Sequence, residues 1–427
     1  MRSFNISLPL SWKREQGDNQ LRTFWKSAFN LFFAYILYIL RLMQWFFFKS
    51  SYYPIEYEIS LTTTRVIFTR SKRTTQPICL KLWQRSDDVV CDTRLVISDA
   101  RYLLEGFAFN RKFAPDVYLG IAPVEVSRNK IKRGRLIDHP ELNTLKKHGV
   151  QYALVMRCIK ENWGLDYHLC QNRLGKNVSI DFLAKEVAYM HKQLDSSPDN
   201  YGTPDRISSK LNLNTGLFLE ALGQLSDAKN KLEKYGWISD LMVQACEDYA
   251  PLFMQRYQNG HIKRCHGDLK ATNLWVQPKG IGFSKKKEFP YFDLKKHHQQ
   301  LLALDCIDFN PEFCHIDTLS DVAMLAVDIE MHFTNWTETD KKIKDGQNIA
   351  NSFLYGYLHE MEQDHADAWP LLRYYMTEKA MVCAYVSILY DGQSELGERY
   401  LDIADIHAHQ LGKSTEPSMK SMALVVS

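Results

Sequence analysis

Cysteine pairs, a charge excess and a glycine-rich nucleotide loop are all missing from this 427-residue chain. Its nine cysteines are an odd number without Cys-x-x-Cys spacing, which excludes a disulfide framework and a structural zinc site and fits a reducing compartment. The 53 basic residues against 50 acidic ones leave a formal charge of +3, too little to draw the chain to nucleic acid. No G-x-G-x-x-G stretch occurs. Near the C-terminus Gly412-Lys413-Ser414-Thr415 imitates the end of a phosphate-binding loop, but His407 stands where that motif needs its first glycine. The remainder is ordinary for a folded protein: 45% hydrophobic and 24% charged residues, in a length that suits two or three structural units.

A clean membrane-spanning run is missing as well. Residues 28–48 are dense in aromatic and aliphatic side chains, yet Asn30, Arg41 and Gln44 interrupt the roughly 20 apolar residues that a spanning helix needs. Flanking Lys26 and Lys49 and the aromatic density suit an interfacial helix lying in the membrane plane. A spanning anchor and a helix packed on the protein body stay open as alternatives. Charged residues far upstream, with no small-residue cleavage site after the run, argue against a secretory signal.

The most informative segment is 265–273, CHGDLKATN. An aspartate two residues after a histidine and five before an asparagine has the spacing of a kinase catalytic loop, His-x-Asp-x-x-x-x-Asn. Phosphoryl transfer needs a carboxylate to take the proton of the attacking hydroxyl and oxygen ligands to fix Mg²⁺ beside the phosphates. Asp268 fits the first role and Asn273 the second. Read alone, the segment fits a polar surface loop equally well.

Two later segments change that balance. Residues 301–310, LLALDCIDFN, form an apolar run ending in carboxylates, as a strand delivering a metal ligand would, and offer Asp305 and Asp308. Residues 316–328 carry apolar side chains at helical spacing behind Asp and Ser start signals. Asp321 near that start can accept backbone N–H groups of the catalytic loop, cap its own helix, or both.

With these three segments in order, the chain resembles the aminoglycoside phosphotransferase-like (APH) kinases. It is most similar to a bacterial branch reading HGDLH, FDCIEFN and IDVLYDLAFL, often fused to an ATPase domain that these 427 residues do not include. The resemblance covers about residues 57 to 405. It implies an α+β, bilobal protein-kinase-like fold, with a small antiparallel-sheet lobe and a large, mostly helical one. It further implies ATP and Mg²⁺ as cofactors and a small-molecule hydroxyl as phosphoryl acceptor.

Site residues follow from the same resemblance. Lys81 in the strand pattern ICLKLW would bind the α- and β-phosphates, and Glu105 in YLLEGFAFNRKFAP would pair with it. Residues 152–157 resemble the hinge strand, with Met156 near the adenine. Lys270 stands where the branch usually has histidine; it can reach the γ-phosphate or face solvent. Asp268 would be the catalytic base, and Asn273, Asp305 and Asp308 would hold metal, with Asp305 favoured as principal ligand. A non-catalytic nucleotide-binding scaffold remains the alternative.

The expected organisation is an N-terminal extension over 1–53, an N-lobe over 54–155, a helical C-lobe over 156–410 and a flexible tail over 411–427. Helices are expected over 178–193 and 214–235. The 31 residues between Asn273 and Asp305 include two basic runs, which read as a solvated excursion or, less plainly, as a platform that attracts an anionic substrate. The expected setting is cytoplasmic, with contact to the membrane surface through 28–48.

Overall fold

The computed structural model describes residues 53–55, 57–60, 64–70, 77–86, 92–93, 97, 100–127, 130–145, 150–171, 178–198, 200–278, 299–334 and 343–411. The aromatic segment 28–48, the basic excursion 279–298 and the tail with Gly412-Lys413-Ser414-Thr415 lie outside them. Among the described residues no helix is long and apolar enough to cross a membrane.

Two lobes are present. The first is a seven-stranded antiparallel sheet built from β1 (Tyr53–Pro54), β2 (Tyr57–Ser60), β3 (Thr64–Arg70), β4 (Pro77–Trp83), β5 (Tyr118–Ser127), β6 (Lys130–Arg133) and β7 (Gln151–Arg157). Its spatial order is β1-β6-β5-β7-β4-β3-β2. Helix α1 (Ala100–Phe113) lies between β4 and β5 in sequence. Strand alternation sorts the side chains of β4. Leu80 and Leu82 are fully buried in one core with Ile67, Val124 and Val155, so Lys81 faces the other side. On that other side a second core joins Leu103 and Phe107 of α1 to Tyr118, Ile121 and Leu154.

The larger lobe is helical: α2 (Leu165–Cys170), α3 (Ile180–Lys192), α4 (Pro204–Gln224), α5 (Ala228–Tyr235), α6 (Trp237–Asp248), α7 (Ala250–Gln258), α8 (Pro311–Cys314), α9 (Thr318–Phe333), α10 (Ile343–Glu360), α11 (His365–Tyr385) and α12 (Ser394–Ala408). Two short ribbons sit among them. Strand β8 (Ile262–Arg264) pairs with β11 (His315–Asp317), and β9 (Leu274–Gln277) with β10 (Gln300–Ala303). Helix α9 is the axis of this lobe. Every residue from Thr318 to Glu330 is buried, as an all-round apolar helix requires, and Asp317 caps its start by accepting from Leu319 N at 2.8 Å.

Helix boundaries differ from expectation in one place. The segment expected as a helix over 214–235 is two helices: Pro204 in the first turn starts α4 ten residues early, and the chain breaks between Gln224 and Ala228. Leu302 and Leu304, from the larger lobe, pack into the α1 core of the smaller one. The segment that follows β10 is thereby delivered to the junction between lobes.

Candidate active site

Asp268 owes its position to carboxylates buried beneath it. After β8 the chain turns at Gly267, whose φ of 85° lies in the left-handed region, and a Cβ there would meet Phe313 O at 2.6 Å. The loop's amides then need partners away from water. Asp321 accepts from His266 N at 3.1 Å and from Gly267 N at 2.9 Å. Two helical turns along α9, Asp328 accepts from Ala271 N at 2.6 Å and from the Tyr400 hydroxyl at 3.0 Å. Burial pushes the Asp321 carboxyl up, but the His191 hydrogen bond, His266 and the Gly267 amide outweigh it and hold the carboxyl below its usual range. Asp321 is therefore a brace for the loop, and the cap is Asp317.

His266 adds a third anchor. Its Nε2 donates to Leu304 O at 2.9 Å, while its Nδ1 accepts from Asp268 N at 3.3 Å, which fixes the orientation of the ring. His191, Cys265 and Asp321 could in principle ligate one ion. Asp321 is already engaged by two amides and the His191 ring, and Cys265 Sγ points to Ile316 O, so the trio serves the loop. On this base Asp268 Oδ2 accepts from Asn273 Nδ2 at 2.9 Å and pairs with Lys270 Nζ at 3.1 Å.

Across the cavity lies the segment from Leu304 to Asp308. Its backbone is tied to both lobes: Leu304 N donates to Asn273 O, Ile307 N to His266 O, Asp305 N to the Tyr118 hydroxyl and Cys306 N to Asn110 Oδ1. Asp305 holds φ at 65°, which a non-glycine residue adopts at a cost, and its side chain is 48% exposed. That carboxylate forms an ion pair with Lys81. Desolvation works to raise the Asp305 pKa, but Lys81, and then His266 and Lys270, outweigh it and lower the value. Asp308 is different. It is 8% exposed, its Oδ1 has no hydrogen-bond partner, and burial pushes its carboxyl up to about 7 against the opposing pull of Lys81.

The structure brings Lys81, Asp268, Lys270, Asp305 and Asp308 to one cavity of about 270 Å³. Asn273 borders it through its bond to Asp268. Two expected members stay apart. Glu105, the one acidic residue of α1, is exposed on the outer face of the helix beside Arg111 and His139, so the Lys81–Glu105 ion pair does not form. The reason is helical phase. The face of α1 that meets the site carries Gly106 and Asn110, and the helix approaches so closely that a Cβ on Gly106 would sit 2.4 Å from Asp308 Oδ2. Lys81 takes Asp305 as its counter-ion instead. Met156, opposite Cys79 in β7, packs against the α1 core and does not line the cavity.

Four lining residues went unread in the sequence: Lys210 and Asn214 of α4, and Lys379 and Tyr385 of α11. A polar residue on an otherwise apolar helical face is the signal they carried. Asn214 sits among Leu211, Leu217 and Phe218, and Lys379 follows a fully buried Glu378 in a run of buried aromatics.

The donor set at the lobe junction fits a hard divalent cation. Asp305 and Asp308 offer carboxylate oxygens and Asn273 an amide oxygen, and the unpartnered Asp308 Oδ1 is the kind of buried acceptor that such an ion satisfies.

No protein-family model matches the chain, and no curated protein matches it. Among solved structures it is similar to an ethanolamine kinase from Plasmodium vivax, at 10% identity over 86% of this chain and 85% of that one, with a TM-score of 0.43. An amicoumacin kinase in complex with AMP-PNP, Ca²⁺ and its ligand aligns at 13% identity over 85% and 93%, TM-score 0.41. An aminoglycoside phosphotransferase from Alicyclobacillus acidocaldarius aligns at 9% identity over 84% and 92%, TM-score 0.37. These are distant likenesses that run over most of both chains.

Proposed function

We propose that this chain is an ATP- and Mg²⁺-dependent phosphotransferase acting on a hydroxyl of a small molecule. The observation that carries the reading is Asp268 itself, held by a loop that two buried carboxylates brace and facing Lys81, Asp305 and Asp308 across one cavity. Asp268 is positioned to accept the proton of an acceptor hydroxyl, and its bond to Asn273 Nδ2 orients the carboxylate for that task. Lys270, paired with the same carboxylate, would neutralise charge on the transferred phosphoryl group. Lys81 would hold the α- and β-phosphates.

Asn273, Asp305 and Asp308 are the residues that would hold Mg²⁺, which when bound neutralises phosphate charge. Metal on Asp305 would compete for the carboxylate that Lys81 now holds, which frees the ammonium for phosphate. The test is Asp268→Asn: it should lower phosphoryl transfer by about 10²- to 10⁴-fold while leaving thermal stabilisation by ATP intact. Retained turnover in that variant would sink the mechanism.

One observation favours a second reading, a nucleotide-binding scaffold without catalysis. No carboxylate of α1 reaches Lys81, so the lysine lacks a helix-borne partner that would hold it for phosphate. A thermal-shift measurement with ATP, with and without Mg²⁺, followed by product detection separates the two. Stabilisation without product supports the scaffold.

A further inference from the structure

Beyond Asp268 the cavity continues between α4 and α11, and its wall there is both charged and buried. Glu378 organises it from behind with no exposure at all. Its Oε1 accepts from Asn214 Nδ2 at 3.0 Å and lies 3.7 Å from Lys210 Nζ, while the Tyr385 hydroxyl donates to Asn214 Oδ1 at 3.1 Å. Lys379 has no such arrangement. It is 7% exposed, it lines the cavity, and among the described residues no carboxylate lies within 4.0 Å of its ammonium. Two ammonium groups therefore depend on one carboxylate, with Lys379 buried and Lys210 partly exposed.

Of the other carboxylates that act on Lys210, Glu312 pairs with Arg206 and Asp317 with Arg256. Lys270, which lines the same cavity, is matched by Asp268, and the lining also includes Met324, Val382 and Val386. Burial lowers the Lys210 pKa, and although Glu378 opposes this, Lys379 adds to the lowering: the two ammonium groups repel each other across the same space. A buried cation without its counter-charge is costly, and an anion on a ligand relieves that cost.

We propose that the phosphoryl acceptor is an alcohol that carries a small oxyanion, a carboxylate or a phosphate, seated between Lys210 and Lys379 while its hydroxyl reaches Asp268. The proposal rests on the phosphotransferase reading above and narrows its substrate class. In the step, the hydroxyl gives its proton to Asp268, its oxygen bonds to the γ-phosphorus of ATP, and the bond from that phosphorus to the β–γ bridging oxygen breaks, releasing ADP. Tyr385 and Asn214 hold each other and Glu378, which keeps Lys210 aimed at the cavity rather than at bulk water.

The test uses the full chain with ATP and Mg²⁺, measuring ADP formation and thermal stability with matched acceptors: glycerate against glycerol, gluconate against glucitol, and glucose 6-phosphate against glucose, with glucosamine as a cation. The expected result is a kcat/KM at least about tenfold higher for an anionic member than for its neutral partner, as a charge-assisted hydrogen bond provides. Comparison of the carboxylate and phosphate pairs says which oxyanion the site takes. Lys379→Met should erase the preference and Lys379→Arg should keep most of it. The wild-type comparison decides by itself if either variant fails to fold. Preference for the neutral or cationic members, or no response to any anion while ATP and Mg²⁺ still stabilise the chain, overturns the charge assignment and leaves the phosphotransferase reading standing. Absence of any ATP effect overturns both.

Discussion

The loop over 265–273 hands its amides at 266, 267 and 271 to buried carboxylates, whereas the segment over 305–308 across the cavity keeps one carboxylate oxygen unpartnered and one residue at positive φ. Both segments present an aspartate to the same space. The first is anchored from below by α9, through Asp321 and Asp328. The second is satisfied only in part by protein, through Lys81 at Asp305, and burial pushes its Asp308 carboxyl up. On the proposed function, the group that must stay in place is built on closed hydrogen bonds, and the group that must exchange partners is left with an open one.

Removing the working group of the anchored loop should have the largest effect. Asp268→Asn is expected to lower turnover by about 10²- to 10⁴-fold, the usual contribution of a general base, without moving the melting temperature by much. Breaking the anchor instead of the proposed base makes the converse case. Asp321→Ala strands two buried amides and the His191 ring, and should cost about 2–4 kcal/mol in a denaturant titration. An Asp321→Ala chain as stable as wild type would show that the loop does not depend on α9.

The open segment responds to pH. Burial raises the Asp308 carboxyl from 3.8 to about 7, so between those values the folded chain holds a proton that the unfolded chain has released. Its contribution to stability is full below about pH 4 and is lost as pH rises through about 7. Asp308→Asn should therefore flatten that slope and leave the metal-free chain more stable than wild type at pH 8, by on the order of 1–3 kcal/mol. The same variant should lose the Mg²⁺-dependent part of any ATP stabilisation. Unfolding curves at pH 5 and pH 8, with and without Mg²⁺, check both. Smallest of all is Glu105→Ala: an exposed residue away from Lys81 should change stability by less than about 0.5 kcal/mol and leave ATP binding untouched. A large loss of ATP binding there would mean that Lys81 does change partners on binding.

Much of the site was legible in sequence because its parts are local. The spacing from His266 to Asn273 is set by one loop, and the apolar run before Asp305 is one strand. The run from Ile316 onward enters, at Thr318, one helix whose Asp321 points back at the loop. The two-lobed α+β arrangement is also present as expected. Glu105 was misread for a related reason: its neighbour Gly106 carries the close approach to Asp308, and a shift of one residue turns a helical side chain by about 100°. Met156 was placed by strand likeness, which does not say what stands between a strand and a cavity.

By itself, the sequence determined which residues form the loop over 265–273, the carboxylate-bearing strand end and the bracing helix, because each is written within a few residues by backbone spacing. Tertiary structure alone decided that Lys81 pairs with Asp305 across 224 positions, and that Asp308 is buried against Gly106. It also decided that Lys210 and Lys379, from helices far apart in the chain, face one space over a shared glutamate. Charge balance in a cavity depends on which helices happen to converge there, and no local pattern records that.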